Sequence, residues 1–147
     1  MWKRTKDLYY KLPLAFEKLS KGEDIRKVTI EESLAQFISL IISTIFGEYK
    51  YDDEFGTVIW ETDFNQLANV NHLKDIIKDS VFSKVKTYEQ RLTVTDVTLS
   101  VNEDTVNYAT NIRVKKRLDI VVYGIIKKTN QPYYYQSSYF LAPFSFK

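Results

Sequence analysis

The sequence has no cysteine, a single histidine and only four glycines among its 147 residues. The absence of cysteine excludes disulfides, thiol catalysis and thiolate metal sites. His72 cannot form a multi-histidine metal site, and no Ser–His–Asp pattern surrounds it. No P-loop or GxGxxG motif is present to cradle a phosphate or dinucleotide. The sequence therefore predicts no cofactor, no metal site and no enzymatic activity.

The chain also lacks a charge excess and a long apolar run. The 21 basic and 19 acidic residues leave a net charge of +2, which provides no overall field to attract nucleic acid or an anionic membrane. The most apolar run, Leu34 to Phe46, is shorter than the about 20 residues that a spanning helix needs. Met1 to Asp7 is charged and no apolar stretch of a secretory signal follows it. We expect a cytoplasmic protein without nucleic-acid partners or direct membrane insertion.

The composition is sufficient for one packed domain, with 44% hydrophobic and 15% aromatic residues. The eleven tyrosines and nine phenylalanines fit either a Tyr-rich sheet or an aromatic interface. Residues 1–28, interrupted by Pro13 and Gly22, predict an N-terminal arm and loop. Residues 29–147 predict a single α+β domain.

Two helices are predicted. Thr29 and Glu32 form a capping box, and Gly47 stands where a left-handed C-terminal cap belongs, which predicts a helix over about 30–46. A second helix is predicted over about 70–86, capped by Asn69 or Asn71. The residues expected on its buried face are Leu73, Ile76, Ile77, Val81 and Val85.

The period changes to two after Leu92, which indicates strands. In the first strand, Thr95-Asp96 is either a bulge or the point where the strand twists between two contacts, and a turn is predicted at 102–104. A long half-buried strand follows over 112–127, and the last strand spans Tyr133–Leu141. Helices followed by strands predict an α+β fold, with two main helices packed on one face of a small antiparallel sheet of three or four strands.

Two kinds of site, a pair of glycosidase carboxylates and a basic phosphate site, have candidate residues in the sequence, and each has a simpler explanation. A glycosidase needs two carboxyl groups about 5–5.5 Å or about 6.5–9.5 Å apart. With 19 acidic residues some pair meets this distance by chance, so no catalytic residue is predicted. A basic cluster near residue 115 is favoured as the solvated face of a strand over a phosphate site. The carboxylate candidates are Glu48, Asp52, Asp53, Glu54, Glu61 and Glu89, and the basic residues are Arg113, Lys115, Lys116 and Arg117.

Three short motifs stand in a familiar order. An apolar opening segment, 12–16, precedes Gly22. Then come a loop motif and a Glu-Gln-Arg tripeptide. In the family that these motifs resemble, named below, arginine is usual at the position of Tyr49 and proline at that of Gln90. The loop motif consists of Gly47, Glu48, Phe55 and Gly56, and the tripeptide of Glu89, Gln90 and Arg91. Together, over about residues 8–141, they resemble the GPW / gene-product-25 family of contractile-tail baseplate wedge proteins, which includes the TssE subunit of type VI secretion systems.

The resemblance implies a function without catalysis. It implies a structural baseplate wedge subunit of a contractile injection machine, most like TssE, that links the baseplate to the sheath and templates sheath assembly. The implied partners are other wedge subunits and the sheath protein, bound by strand addition to the edge at Tyr133–Leu141 or at 112–127. The alternatives are a phage-tail-type, lysozyme-like peptidoglycan hydrolase and a free-standing regulatory adaptor.

The tripeptide is the predicted partner-binding motif. If residues 89–91 are extended, Glu89 and Arg91 project from the same face of a strand. The pair could then pin the sheet to the second helix or bind a partner's backbone and carboxylates. On the second interpretation, Arg91→Ala would leave the domain folded and weaken assembly.

Overall fold

The structure is a computed structural model. It describes the backbone over residues 9–61, 70–108 and 111–141, and the side chains in these ranges except at 61, 70, 104–108, 111–115 and 141. The elements in chain order are β1 (Tyr9–Tyr10), α1 (Phe16–Ser20), β2 (Lys27–Val28), α2 (Ile30–Ser43), a 3₁₀ helix (Val58–Glu61), α3 (Val70–Tyr88), β3 (Leu92–Tyr108), β4 (Asn111–Ile126) and β5 (Gln131–Leu141).

The main sheet is antiparallel, with the strand order β3-β4-β5. The small β1–β2 pair is also antiparallel. With α2 and α3 packed on the main sheet, these elements confirm the predicted α+β fold class. β4 lies in the centre, and its residues 116–126 pair with β3 on one side and with β5 on the other. The predicted edge at 112–127 is therefore wrong over this paired length, because both of its sides are already hydrogen-bonded.

β3 continues through the predicted turn at 102–104. Asn102 pairs with Arg117 and Glu103 pairs with Lys116, so the turn prediction is wrong. Turn-forming residues are tolerated here because opposite charges stand in cross-strand register. A register shift between Val94 and Asp96 favours the bulge over the twist as the alternative at Thr95-Asp96.

α2 starts as predicted and ends earlier than predicted. Glu32 N–H donates to the Thr29 hydroxyl at 3.3 Å, which confirms the N-terminal cap. Thr44 is extended and its hydroxyl donates to Leu40 O, so the helix ends at Ser43 and not at 46. Gly47 has φ +80° but lies in the following turn, so it does not cap the helix.

The core lies between the two long helices and the sheet. On α3 the fully buried residues are Ile77, Val81 and Val85, which repeat every four residues. Ile76 is 38% exposed, contrary to its predicted burial, because it lies about 100° around the helix from this stripe. The core side chains from the other elements include Leu34, Ile38, Ile41 and Ile42 of α2 and Leu118, Ile120 and Val122 of β4.

The segment 9–28 contains a two-stranded ribbon and a short helix. Tyr9 pairs with Val28 and Tyr10 with Lys27. Val28 and Ile25 are buried, whereas every residue of α1 is exposed. Leu12 N–H donates to the Gln36 side chain at 3.0 Å, which places the ribbon beside α2.

Candidate functional site

The Glu-Gln-Arg tripeptide connects α3 to β3. Glu89 N–H donates to Val85 O at 2.8 Å, so Glu89 continues the helical bonding pattern beyond Tyr88. Its side chain is 2% exposed, and both carboxylate oxygens accept from Arg91, from Nε and Nη2, at 2.8 Å each. The predicted pairing of Glu89 with Arg91 is present. Their predicted position on a strand is wrong, since a turn brings them together.

Arg91 also contacts two other elements. Its Nη1 donates to Ser33 Oγ on α2 at 2.8 Å, and its guanidinium lies 5.0 Å from the centre of the Tyr9 ring on β1. Hydrogen bonding to Glu89 raises the pKa of Arg91 above its usual value. The motif therefore joins α3, α2 and the N-terminal ribbon. Neither Ser33 nor Tyr9 was predicted as a partner, because no local pattern relates positions so distant in sequence.

Gln90 occupies the position where the resembled family usually has proline. Leu92 N–H donates to Glu89 O at 3.4 Å, which closes a four-residue turn with Gln90 as its second residue. Proline is favoured at that position because its ring fixes the φ angle that the turn uses. Gln90 is exposed, and the turn forms without proline.

The loop motif folds against the C-terminal end of α2. Glu48 accepts from Ile45 N–H at 3.0 Å, and Gly47 N–H donates to Asp53 O at 3.3 Å. Gly56 has φ +126°, and a Cβ atom at this position would lie 2.6 Å from Thr44 O. Only glycine permits this close approach of loop and helix end.

The end of α2 supplies the acceptors that hold this loop. Ile42 O accepts from the Thr57 hydroxyl at 3.0 Å and from Trp60 Nε1 at 2.9 Å. Thr57 N–H donates to Thr44 O at 3.2 Å. These bonds satisfy carbonyl groups that a helix end leaves without partners. They bring the 3₁₀ helix and the loop into one fixed arrangement.

Asp52 and Tyr88 join the loop to α3. The Tyr88 hydroxyl donates to Asp52 Oδ2 at 2.6 Å. This bond lowers the pKa of Asp52 and raises the pKa of Tyr88 to about 12. The ring of Phe55 lies 4.9 Å from that of Tyr88 in an edge-on contact, and Phe55 is buried. The motif residues Glu48 and Phe55 thus lie in one groove with Asp52 and Tyr88.

β5 forms one edge of the main sheet. Alternate residues from Tyr133 to Tyr139 face the helices and are only half-buried. The Tyr133 hydroxyl donates to Glu31 O at 3.2 Å, and Tyr139 packs edge-on against Trp60 at 5.8 Å. Burial raises the pKa of both tyrosines to about 12. These contacts hold β5 on α2 and on the 3₁₀ helix, and its side away from β4 has no strand partner among the described residues.

The candidate carboxylates are spread over several environments. Glu48 and Asp52 line the same groove, whereas Glu89 is bound by Arg91. Asp53 and Glu54 are exposed, and the Glu61 side chain lies outside the described residues. Within the described part of the chain, no group of three or more His, Cys, Asp or Glu residues could hold a metal ion. His72, on α3, is exposed.

The basic cluster does not form one described surface. Lys116 and Arg117 are neighbours on β4 and point to opposite faces. Arg117 Nε donates to Asp119 at 3.0 Å, and Ser138 and Asn102 also donate to this carboxylate. Together these bonds lower the pKa of Asp119, with the Ser138 bond contributing most. The side chains of residues 113 and 115 lie outside the described part of the chain.

Among the described residues, no helix is long and apolar enough to cross a membrane.

Comparisons with known proteins agree with this fold. Residues 28–131 match the family model described as "Baseplate wedge protein gp25", while no curated protein matches. A solved structure described as "putative tail lysozyme" from Geobacter sulfurreducens superimposes with a TM-score of 0.61 at 20% identity, covering 83% of this chain and 100% of that chain. At this identity the likeness shows the fold alone. The family match spans more than half of the chain, and the chain therefore belongs to the GPW / gene-product-25 family of baseplate wedge proteins.

Proposed function

We propose that this chain is a structural, non-enzymatic wedge subunit of a contractile injection machine, most like the TssE subunit of type VI secretion systems. It assembles in the cytoplasm with other wedge subunits, links the baseplate to the sheath and templates sheath assembly. The family membership supports the baseplate role. The specific link to the sheath is our inference from the geometry of the main sheet.

The observation that carries this proposal is the outer edge of β5. The strand spans Gln131–Leu141 and pairs with β4 on one side over its whole length, without a register shift. An edge strand presents unpaired amide and carbonyl groups in a row, and an extended segment of another chain can complete the ladder. Because Tyr133 and Tyr139 attach β5 to the helical layer, the edge is ordered before a partner arrives.

The opposite edge, β3, is less suited to strand addition. Its register shifts between Val94 and Asp96. Lys78 of α3 pairs with Asp96 at 3.2 Å, so charged groups stand beside the bulge. Bulges and charges are the features by which natural sheets discourage pairing at an edge. We therefore assign the sheath or wedge contact to β5.

Three features of the carboxylates support a role without hydrolysis. Glu89 is buried, and both of its carboxylate oxygens are bound by Arg91. The Tyr88 bond keeps the pKa of Asp52 low, whereas a glycosidase general acid needs a raised pKa. Asp53 and Glu54 are exposed. The lysozyme alternative is tested by adding purified protein to cell-wall suspensions, where loss of turbidity that Glu48→Gln abolishes would overturn our proposal.

A pair of proline variants tests the β5 edge. Successive backbone N–H groups of an edge strand alternate between the neighbouring strand and the outside. Of Gln136→Pro and Ser137→Pro, one therefore removes a bond to β4 and the other removes an outward donor. We expect the variant that keeps the wild-type thermal midpoint to lose co-purification with co-expressed sheath and wedge proteins, and to yield no sheath filaments by electron microscopy.

The control is a substitution on the same strand that leaves its backbone intact. Gln136→Ala changes an exposed side chain and keeps every N–H group, so it should assemble like the wild type. If the stable proline variant also assembles normally, β5 is not the edge that binds the partner. The same pair of substitutions placed in β3, Thr98→Pro and Leu99→Pro, would then identify the opposite edge.

A further inference from the structure

A preformed groove lies between α2, the loop that follows it and the end of α3. Its volume is about 560 Å³. The rings of Phe37, Phe55 and Tyr88 form its apolar floor, with centroids 6.3 Å apart for Phe37–Phe55 and 4.9 Å for Phe55–Tyr88. Leu40 and Tyr49 line its mouth and are each 46% exposed. The groove therefore presents large apolar side chains around a cavity, which is typical of an interaction site.

The described lining of the groove carries negative charge. It includes Glu48 and Asp52 and, among the residues that the structure describes, no lysine, arginine or histidine. The Tyr88 bond lowers the pKa of Asp52, so this carboxylate is ionised at neutral pH. Lys84 lies over the Phe46 ring at 5.2 Å, and its charge also helps to lower the pKa of Asp52, after the larger effect of the Tyr88 bond. Lys50 lies over the Tyr51 ring at 4.7 Å.

Hydrogen bonds within the chain hold the loop beside the groove in place. Trp60 Nε1 and the Thr57 hydroxyl both donate to Ile42 O, and Gly56 allows the loop to approach Thr44. A rigid cavity costs less conformational entropy on binding than a loop that must be ordered first. The loop motif thus shapes the groove as well as the helix end, since Glu48 and Phe55 line it.

We infer that this groove receives an apolar side chain flanked by lysine or arginine, presented by a segment of another protein subunit. The apolar floor accepts the hydrophobic side chain, and Glu48 and Asp52 accept the flanking cation. This inference rests on the proposed function for the kind of partner, a second subunit of the same assembly. The groove is a separate surface from the β5 edge, because none of its lining residues belongs to β5.

Peptide titration of the full chain tests the inference. The probes are three capped heptapeptides: Gly-Lys-Leu-Phe-Arg-Lys-Gly, its acidic counterpart Gly-Glu-Leu-Phe-Asp-Glu-Gly, and Gly-Lys-Ser-Ser-Arg-Lys-Gly without apolar anchors. We expect saturable NMR shifts at the amides of Phe37, Leu40 and Tyr49 with the first peptide, and at least tenfold weaker binding of the other two. Binding of the first should weaken at high salt, because the contact between the cation and the carboxylates is screened.

Matched variants separate the groove from general stickiness. Leu40→Ser and Asp52→Asn should each weaken binding of the first peptide at least fivefold. Ile76→Ser and Asp75→Asn should leave it unchanged, since both residues are exposed on α3 and Ile76 lies about 18 Å along the helix from Tyr88. Equal binding of the acidic peptide, no saturable shift with any peptide, or binding unaffected by Leu40→Ser would overturn the inference.

A second copy of this chain is the other possible occupant. Sedimentation of the protein without peptide distinguishes it: we expect a monomer. A concentration-dependent dimer that Leu40→Ser abolishes would assign the groove to self-association and overturn the assignment to another subunit. Failure of the peptide titration leaves the β5 test unaffected, because the proline variants alter no residue that lines the groove.

Discussion

The carboxylate of Glu89 determines how Arg91 contributes to the molecule. Glu89 is 2% exposed, and a charge that is removed from water is destabilising unless a partner compensates for it. Arg91 supplies that compensation through two hydrogen bonds of 2.8 Å. The pair is therefore an internal connection between helix and strand. The sequence alone predicted that Arg91→Ala would leave the domain folded and weaken assembly. Because Glu89 is buried, we now expect this variant to lower the stability of the domain itself.

Arg91→Ala should destabilise the isolated protein. It leaves a buried carboxylate unpaired, which costs about 3–5 kcal/mol when such a pair is broken. We expect the lower end, about 3 kcal/mol, because the Arg91 side chain is 31% exposed and water screens part of the interaction. Urea denaturation monitored by circular dichroism measures this loss.

The control for Arg91→Ala is an exposed ion pair. Lys78 and Asp96 are joined at 3.2 Å with side chains 45% and 53% exposed, so Lys78→Ala should cost at most about 1 kcal/mol. Equal losses for the two variants would show that Glu89 is not held by Arg91 in solution. A folded Arg91→Ala protein with weakened assembly would restore the interface role of the tripeptide.

Asp52→Asn should lower the pKa of Tyr88 from about 12 towards the usual value near 10, because the carboxylate bond is its main cause. The stabilisation that Tyr88 provides is complete below about pH 10 and is lost as pH rises towards 12. Because the pKa of Asp52 is lowered, the stabilisation that Asp52 provides is present above about pH 4 and is lost at more acidic pH. Tyrosine-ring NMR titration measures the shift. The pKa of Tyr133, which burial raises, should not change in this variant, and a parallel change in it would indicate unfolding.

At the scale of elements, one aromatic contact joins the N-terminal ribbon to Arg91. Tyr9 faces the Arg91 guanidinium at 5.0 Å, while Tyr10, the next residue on β1, is 53% exposed. Alternate residues of a strand point to opposite sides, so only Tyr9 can bind Arg91. β1 and β2 contain two residues each, and so short a pair is not stable by itself.

Tyr9→Leu should therefore loosen the ribbon without unfolding the sheet. It keeps an apolar side chain and removes an attraction of about 0.5–2 kcal/mol between cation and ring. We expect amide hydrogen exchange across 9–28 to accelerate by about threefold or more, with exchange in β4 unchanged. Tyr10→Leu is the matched control. If both variants exchange alike, the cation–ring contact does not hold the ribbon.

The two long helices, and the bulge as one of two alternatives, were predicted from local patterns, whereas the turn predicted at 102–104 is wrong. The Thr29 cap and the bulge beside Asp96 depend on neighbours in sequence, and both are present. The residues at 102–104 favour a turn locally, but pairing with 115–117 extends the strand. The strand that pairs with residues 102–104 is distant in sequence, so the residues next to 102–104 do not show that they form a strand.

At the scale of the whole molecule, the boundary at residue 29 stays a prediction. Ile25 and Val28 are buried but lie outside the main core cluster. A chain beginning at Thr29 should therefore retain cooperative unfolding and native near-ultraviolet circular dichroism. We expect its free energy of unfolding to fall by about 1.5–3 kcal/mol for each of the two buried side chains. Loss of the near-ultraviolet signal would place residues 9–28 within the folding unit and refute the boundary.

The sequence by itself determined the α+β class, the start of α2 and the motifs of the family. Each depends on periods, caps or tripeptides within a few residues, where local sterics and hydrogen bonding act. Only the tertiary structure decided that β4 is central and β5 an edge, and that Arg91 reaches Ser33, 58 residues away. Strand order and buried charge pairs arise from segments that meet only in the folded chain, so no local pattern encodes them.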